Sequence, residues 1–281
     1  MIEENDWGLN WMQTPWIVWG LVPFLAVNIG FWGTAIPLEL ILNKLMQDDS
    51  SFWNKWFHLI EYGNQKNRRQ ELAECRAQIS LAHQAKVSLM QMCGPTAIIG
   101  AVTAGYLLPL WMPAVERTMP TLAQFTLQMI IMEIVGDFSL YWGHRVQHSS
   151  QYLWENFHSK HHQLGTPSAL SAACIDGIDA TLQASIPMLL AGLSARAHPV
   201  SFWGHCFFRV SQNVVHHCGM TSPLLSILFF KYLPGRADNN FHDYHHRYSN
   251  YQGQARNYGE YFTLWDELFG TASNLDKLKM K

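Results

Sequence analysis

Charge is what this 281-residue chain has least of. Asp, Glu, Lys and Arg make up 14% of it, against roughly 25% in an ordinary soluble domain. That shortage argues against a plain cytosolic globule. The 19 basic residues do not outnumber the 21 acidic ones, so there is no overall basic field to hold a phosphate backbone, and nucleic acid is excluded as an expected partner. Cysteine is also scarce: Cys75, Cys93, Cys174, Cys206 and Cys218 are odd in number, scattered and never spaced Cys-x-x-Cys. This excludes a disulfide framework or a zinc ribbon. Internal repeats and low-complexity tracts are absent as well, and 48% hydrophobic with 13% aromatic residues rules out a disordered chain.

What replaces the missing charge is length of apolar chain. Trp7 to Leu38 carries no Asp, Glu, Lys or Arg, and about 20 apolar residues suffice to cross a bilayer as a helix. The residues before it include Glu3, Glu4 and Asp6 but no Lys or Arg, so a retained membrane helix is expected rather than a cleaved signal peptide. A second uncharged run covers Val87 to Val115, and a third runs from Thr118 to Met132, with Pro109, Pro113 and Pro120 breaking the chain between them. The region from Ala180 to Phe230 is apolar but interrupted, and reads either as one hairpin or as a spanning helix followed by a half-buried one. A soluble all-α protein with greasy core helices is the alternative, but cores rarely need uncharged runs this long. The expected fold is therefore all-α, with about four transmembrane helices and a helical histidine-rich domain. Lys and Arg concentrate in the 44–86 connection and after His144, which places both on the cytosolic side. Residues 61–86, with mixed charge and periodic Leu and Ala, read as an amphipathic surface helix. The expected division is a membrane anchor over 1–129, a catalytic domain over 130–272 and a basic tail over 273–281.

The chain is rich in histidine, and the 14 are not scattered. Eight fall in three five-residue windows: His144 with His148; His158 with His161 and His162; His242 with His245 and His246. Residues three and four apart lie on one face of a helix, so each window reads as a claw of two or three imidazoles. Imidazole suits zinc, copper, iron and nickel rather than magnesium or calcium, and eight ligands exceed the needs of one ion, so two adjacent ions are inferred. Asn213 and His217 are four residues apart in an expected helix, making His217 a ninth ligand, with His216 as a hydrogen-bonding neighbour. His58, His83, His198 and His205 lack such company and read as surface or interfacial residues. Asp137, Tyr141, His144 and His148 form one helical stripe, and Asp137 is expected to accept a hydrogen bond from a ligand histidine. Asp137, Tyr141 and Asn213 are the candidate catalytic residues. A non-catalytic membrane metal binder or transporter is the rival class, but it would need ionisable ligands in mid-span, whereas the histidines follow the third apolar run.

These residues resemble the membrane-bound fatty acid hydroxylase and sterol desaturase superfamily. Its pattern is His-Arg-x-x-His (here His144, Arg145, His148), then His-x-x-His-His (His158, His161, His162), then a histidine before glycine (His217-Cys218-Gly219), then a final His-x-x-His-His (His242, His245, His246). The run from Asn257 to Asp266, with Phe269-Gly270-Thr271, is similar to that family's tail, and the resemblance covers about residues 130 to 272. It implies a four-helix membrane anchor carrying a cytosolic di-iron centre that activates O2 and oxidises an inert C–H bond of a lipid, with electrons from NAD(P)H through cytochrome b5 or a similar donor. Phe241 to Arg247 and Thr166-Pro167 resemble sterol C4-methyl oxidases, the tail and Asp176-Gly177 resemble sterol C5 desaturases, and Leu190 to Arg196 resembles sphingoid-base hydroxylases. A squalene-epoxidising relative is a further option. The expected function is C4-methylsterol monooxygenation in the endoplasmic reticulum. Lys277, Lys279 and Lys281 resemble the dilysine retrieval signal of resident proteins of that membrane.

Overall fold

A computed structural model describes residues 14–48, 52–61, 68–112, 118–249 and 255–273. The acidic N-terminus, Arg117 and the basic tail beyond Ser273 lie outside the described residues. The elements are α1 (Ile17–Gln47), β1 (His58–Leu59), α2 (Arg68–Gln78), α3 (Leu81–Cys93), α4 (Pro95–Leu107) and α5 (Leu122–Ser149). They are followed by α6 (Gly177–Ala195), α7 (Pro199–His217), β2 (Met220–Thr221) and α8 (Asn239–Tyr248). The protein is all-α apart from the antiparallel pair β1–β2, in which His58 faces Thr221 and Leu59 faces Met220.

Among the described residues, three helical stretches are long and apolar enough to cross a membrane: Ile17–Gln47, Leu81–Leu110 and Gly177–Ala195. α5, the expected third span, has the length, 28 residues. It is less apolar because its inner face carries Glu133, Asp137, His144 and His148, all buried. Its outer face, with Leu122, Leu127, Ile130, Ile134 and Phe138, is exposed and apolar, the pattern of a helix with lipid on one side and a polar site on the other. α5 starts at a capping box between Thr121 and Gln124, which satisfies two of the amides that a helix N-terminus leaves open.

The 61–86 segment is not one surface helix. It breaks at Ile79-Ser80, where Ser80 caps α3 by accepting from the His83 amide, and Gly94-Pro95 bends the chain again between α3 and α4. α2 has an exposed face, with Gln70, Ala73, Glu74, Ala77 and Gln78, but its start is anchored inside: Arg68, 1% exposed, donates to both carboxylate oxygens of Asp243 in α8 at 2.8 and 2.6 Å. Arg247 and Glu71 form a second ion pair between the same helices. The interrupted 180–230 region resolves into α6 and α7, which turn at Arg196 in a left-handed conformation. α7 packs along α1, and α6 packs along α5.

Candidate metal centre

Four pieces of chain converge on the C-terminal end of α5: α5 itself, the short helical turns Trp154–His158 and Ser159–His162, the end of α7, and α8. All nine expected ligand histidines are there, in two adjacent groups. The first is His144, His148, His158, His162 and His245; the second is His161, His217, His242 and His246. Within each group the ligand atoms lie within 4.8 Å of one another.

The boxes are therefore not separate claws. Residues four apart on a helix differ by only about 40° around the axis, whereas neighbours differ by about 100°. Accordingly His144 with His148 and His158 with His162 share the first group, and His242 with His246 share the second. The odd member of each longer box, His161 or His245, crosses to the other group.

In the first group, four Nε2 atoms close a ring: His148 to His158 is 3.0 Å, His158 to His162 3.2 Å, His162 to His245 3.2 Å, and His245 to His148 3.1 Å. The centre of a flat ring of that side lies about 2.2 Å from each corner, close to ordinary metal–imidazole distances of about 2.0–2.1 Å. In the second group, His217 Nε2 lies 3.3 Å from His161 Nε2 and 3.0 Å from His242 Nε2.

The opposite ring nitrogens show what those Nε2 atoms carry. His144 Nδ1 donates to the Tyr258 carbonyl at 2.9 Å, His245 Nδ1 to the Arg256 carbonyl at 2.5 Å, His217 Nδ1 to the Asn213 carbonyl at 2.8 Å and His161 Nδ1 to the Cys174 carbonyl at 3.4 Å. His158 Nδ1 donates to Asp179 Oδ2 at 3.0 Å. A carbonyl only accepts, so each of these rings has its proton on Nδ1 and a lone pair on Nε2 when neutral. Burial holds the rings neutral: it pulls His161 and His217 down to about 4, and His144, His158, His162, His242, His245 and His246 well below the usual histidine range. His161 and His217 thus face each other lone pair to lone pair. Neither ring nitrogen of His246 meets a hydrogen-bond donor or acceptor among the described residues. A cation in each group would take the inward lone pairs of these rings and one nitrogen of His246, so the residues present fit a metal in each group.

The tail explains how two of those rings are held. The Asp266 carboxylate accepts from the Tyr258 and Gly259 amides at 2.9 and 2.7 Å and from the Thr271 hydroxyl at 2.6 Å. This fixes the loop that presents the Tyr258 carbonyl to His144. Gly219 serves the third motif differently. Its φ is +69°, and a Cβ there would fall 2.6 Å from Arg68 Nη2, so only glycine lets the chain turn out of α7 beneath the Arg68–Asp243 pair.

Two of the three candidate catalytic residues sit elsewhere than expected. Asp137 does not touch a histidine ligand; it accepts from the amides of Glu260, Tyr261 and Phe262 at 3.3, 3.0 and 3.0 Å. The i+7 spacing put it on the right face but about two turns below His144, level with the tail. Tyr141 lies against Phe269 and bonds Thr271 Oγ1 at 3.0 Å, with Arg145 donating to its hydroxyl; it supports the tail and not the metal groups. Asn213 does reach the site, where its side chain donates to Glu260 Oε1 at 2.5 Å. His216 points away from both groups toward Lys231. His205 is fully buried and faces Glu133 at 3.3 Å, rather than lying at a surface. His198 caps α7 by accepting from the Val200 amide. The carboxylate expected beside a ligand histidine is Asp179, which also accepts from Gln147 and Gln183. It follows the second box by 17 positions in irregular chain, a spacing with no periodicity to reveal it. The approach of α6 that delivers it depends on Gly143, where any Cβ would collide with the Leu182 carbonyl.

A cavity of about 590 Å³ runs from the membrane helices to this centre. Trp19, Phe24 and Val27 of α1, Leu107 of α4 and Met188 of α6 line its apolar length. Of the nine histidines, only His161, His217 and His242, all from the second group, reach its wall.

A histidine-rich helical centre at the end of membrane helices, fed by an apolar cavity, defines a lipid-facing metalloprotein. Residues 129–271 match the family model described as fatty acid hydroxylase, and the chain belongs to that family. It is similar to methylsterol monooxygenase 2-2 of Arabidopsis thaliana, 33% identical over 161 residues, 57% of this chain and 58% of that protein. Methylsterol monooxygenase 1-2 of the same plant is 25% identical over 271 residues, 94% of this chain and 84% of the relative. Very-long-chain aldehyde decarbonylase GL1-10 of Oryza sativa subsp. japonica is 29% identical over 153 residues, 54% of this chain and 48% of that protein. The match thus spans less than two thirds of the first and third of these relatives. No solved structure matches the chain.

Proposed function

We propose that this protein is a membrane-bound oxygenase that uses two irons and O2 to oxidise a lipid C–H bond, and that its substrate is a C4-methylsterol. The observation that carries the reading is the apolar cavity ending on ligand histidines: it brings a lipid from the bilayer to a metal-binding wall. The similarity to methylsterol monooxygenases supports the choice of lipid. Iron bound by the nine histidines supplies the redox chemistry that no acid or base side chain performs at an alkane-like carbon. The chain's own residues do the rest. Carbonyls and Asp179 hold the Nδ1 protons, so that every pinned ring turns its Nε2 inward. The apolar lining excludes water and orients the lipid along the cavity axis. Electrons come from NAD(P)H through cytochrome b5 or a similar donor on the cytosolic side of the endoplasmic reticulum, where the basic 44–86 connection and the histidines face.

Purified protein should hold two iron ions per chain, and supplied with reductant and O2 it should convert a 4,4-dimethylsterol to a product oxidised at C4. A product with a new ring double bond, a hydroxylated sphingoid base or an epoxide would move the assignment to another branch. Metal bound without any lipid oxidised would leave a metal binder.

A further inference from the structure

The wall of the cavity meets the outside along one seam. Most of its lining is buried or half-buried, and the lining residues that are also exposed lie on two helices alone. On α4 they are Thr96, Gly100, Thr103 and Leu107; on α6 they are Thr181, Ser185 and Leu189. Steps of three and four residues keep each set on one face of its helix, so the two sets form the lips of a slit. Both helices belong to stretches long and apolar enough to cross a membrane. The slit therefore opens onto lipid and not onto water.

The packing explains why this seam stays open. α4 is drawn to the start of α1, where a Cβ on Gly20 would run into the Ala101 carbonyl and one on Gly105 into Trp16. α6 is drawn instead to α5, through Gly143 against the Leu182 carbonyl and Gly136 against Ala191. Glycine permits each close approach, and the two helices are pulled toward different partners. They come near each other at the histidine end, where a Cβ on Gly177 would stand 3.9 Å from Thr96 Cγ2. From Thr96 to Leu107 the lip on α4 then runs for about 16 Å, at about 1.5 Å per residue. Gly100 lies within it, and a Cβ there meets nothing within 4 Å.

We propose that the lipid substrate enters and leaves sideways from the bilayer, through the slit between α4 and α6. This rests on the oxygenase reading and deepens it. The form of substrate taken is a lipid dissolved in the membrane, and the small side chains at Gly100, Thr181 and Ser185 set the width of its passage. A lipid carried in water finds no other opening among the described residues of the wall. A slit running along two helices also lets a lipid slide in upright, without leaving the bilayer.

The test is exchange of a radiolabelled 4,4-dimethylsterol between the bilayer and the full metal-loaded chain in lipid nanodiscs, without reductant so that nothing turns over. Gly100→Trp adds bulk to the lip where a Cβ meets no neighbour, and Ser185→Trp adds it from the opposite lip. Gly33→Trp is the control, because Gly33 on α1 is exposed, has the same free space and does not line the cavity. Each lip variant should slow association and dissociation together, by at least about tenfold, with the equilibrium affinity and iron content kept, because a narrowed passage raises one barrier for both directions. The control should exchange like the wild type. Ser185→Trp decides the matter if Gly100→Trp does not fold. Wild-type exchange rates in a folded lip variant, or weakened affinity with association unslowed, overturn the proposal. A second readout does not depend on the lipid being a sterol: a diazirine hydrocarbon dissolved in the bilayer should label Met188 inside the cavity of the wild type and label it far less in the lip variants, with Ile29 on the outside of α1 labelled equally in both. Equal labelling of Met188 overturns the proposal as well. Failure of the oxygenase reading is seen separately, as a lipid whose exchange obeys the lips but which is never oxidised when reductant and O2 are added.

Discussion

At the scale of single residues, the clustering of the box histidines was the most legible part of the sequence, because i, i+4 spacing is a direct record of helical geometry. His217 could be separated from His216 on the same ground: α7 is helical through His217, so adjacent side chains diverge, and His217 faces His161 and His242 while His216 faces Lys231. His217→Ala should abolish turnover and lower bound iron, whereas His216→Ala should keep its iron and lose turnover only partly. Iron content and turnover at matched expression check this, and an inverted result would mean that the ligand assignment is wrong. The groups that aim the rings were not legible. Four of the five acceptors that face ligand Nδ1 atoms among the described residues are backbone carbonyls, and a carbonyl leaves no mark on residue identity. The fifth, Asp179, does have a side chain to test. Asp179→Asn lets His158 take the wrong tautomer, and iron affinity should fall about 10- to 100-fold, read by chelator competition. Unchanged affinity would remove Asp179 from the support of the centre.

At the scale of elements, the sequence showed that α5 is a long helix, but not that its two faces meet different media. Asp137 was read as a ligand's partner because the periodicity of one helix says nothing about what packs against it. Its true partners, the amides of residues 260 to 262, are far along the chain. α2 was hidden for a similar reason: a charged helix reads as a solvated face, yet its Arg68 pairs with Asp243, between the histidines of the last box, and its Glu71 pairs with Arg247 of α8. Removing one partner of such a buried pair leaves an uncompensated charge, at a cost of about 3–5 kcal/mol. Arg68→Met should therefore lower thermal stability steeply. The double variant with Asp243→Leu should recover part of the loss, because both charges are then gone. Melting curves of the three proteins check this, and a double variant no better than the single would argue against the pair as the cause.

At the scale of the whole molecule, the membrane character came through in the uncharged runs, since no soluble core requires them. The number of spans did not, because α5 is apolar only on the side that faces outward. The bias of Lys and Arg makes orientation a prediction. A tag at residue 1 should be protected inside sealed microsomes, and one within the 60–70 loop should be cleaved by protease added outside. The reverse pattern would place the histidines in the lumen. Chelation should act on the whole molecule as well: with iron stripped, the facing lone pairs of His161 and His217 are left uncompensated, so the melting temperature should fall and recover on adding ferrous iron. A melting temperature indifferent to iron would mean that the rings are stable without it.

The clamp on the histidines also sets an order of events during synthesis. Eight of the nine ligands precede His246, yet the carbonyls that orient His245 and His144 belong to Arg256 and Tyr258, and the loop bearing the second of these is closed by Asp266 and Thr271. A ribosome hides the last few dozen residues of a growing chain. Every histidine will thus have left the ribosome while the centre still lacks the groups that aim its first ring. Iron capture in the final geometry then waits for the tail to emerge, and a chain stopped just after Ser249 would carry all nine histidines and hold metal poorly.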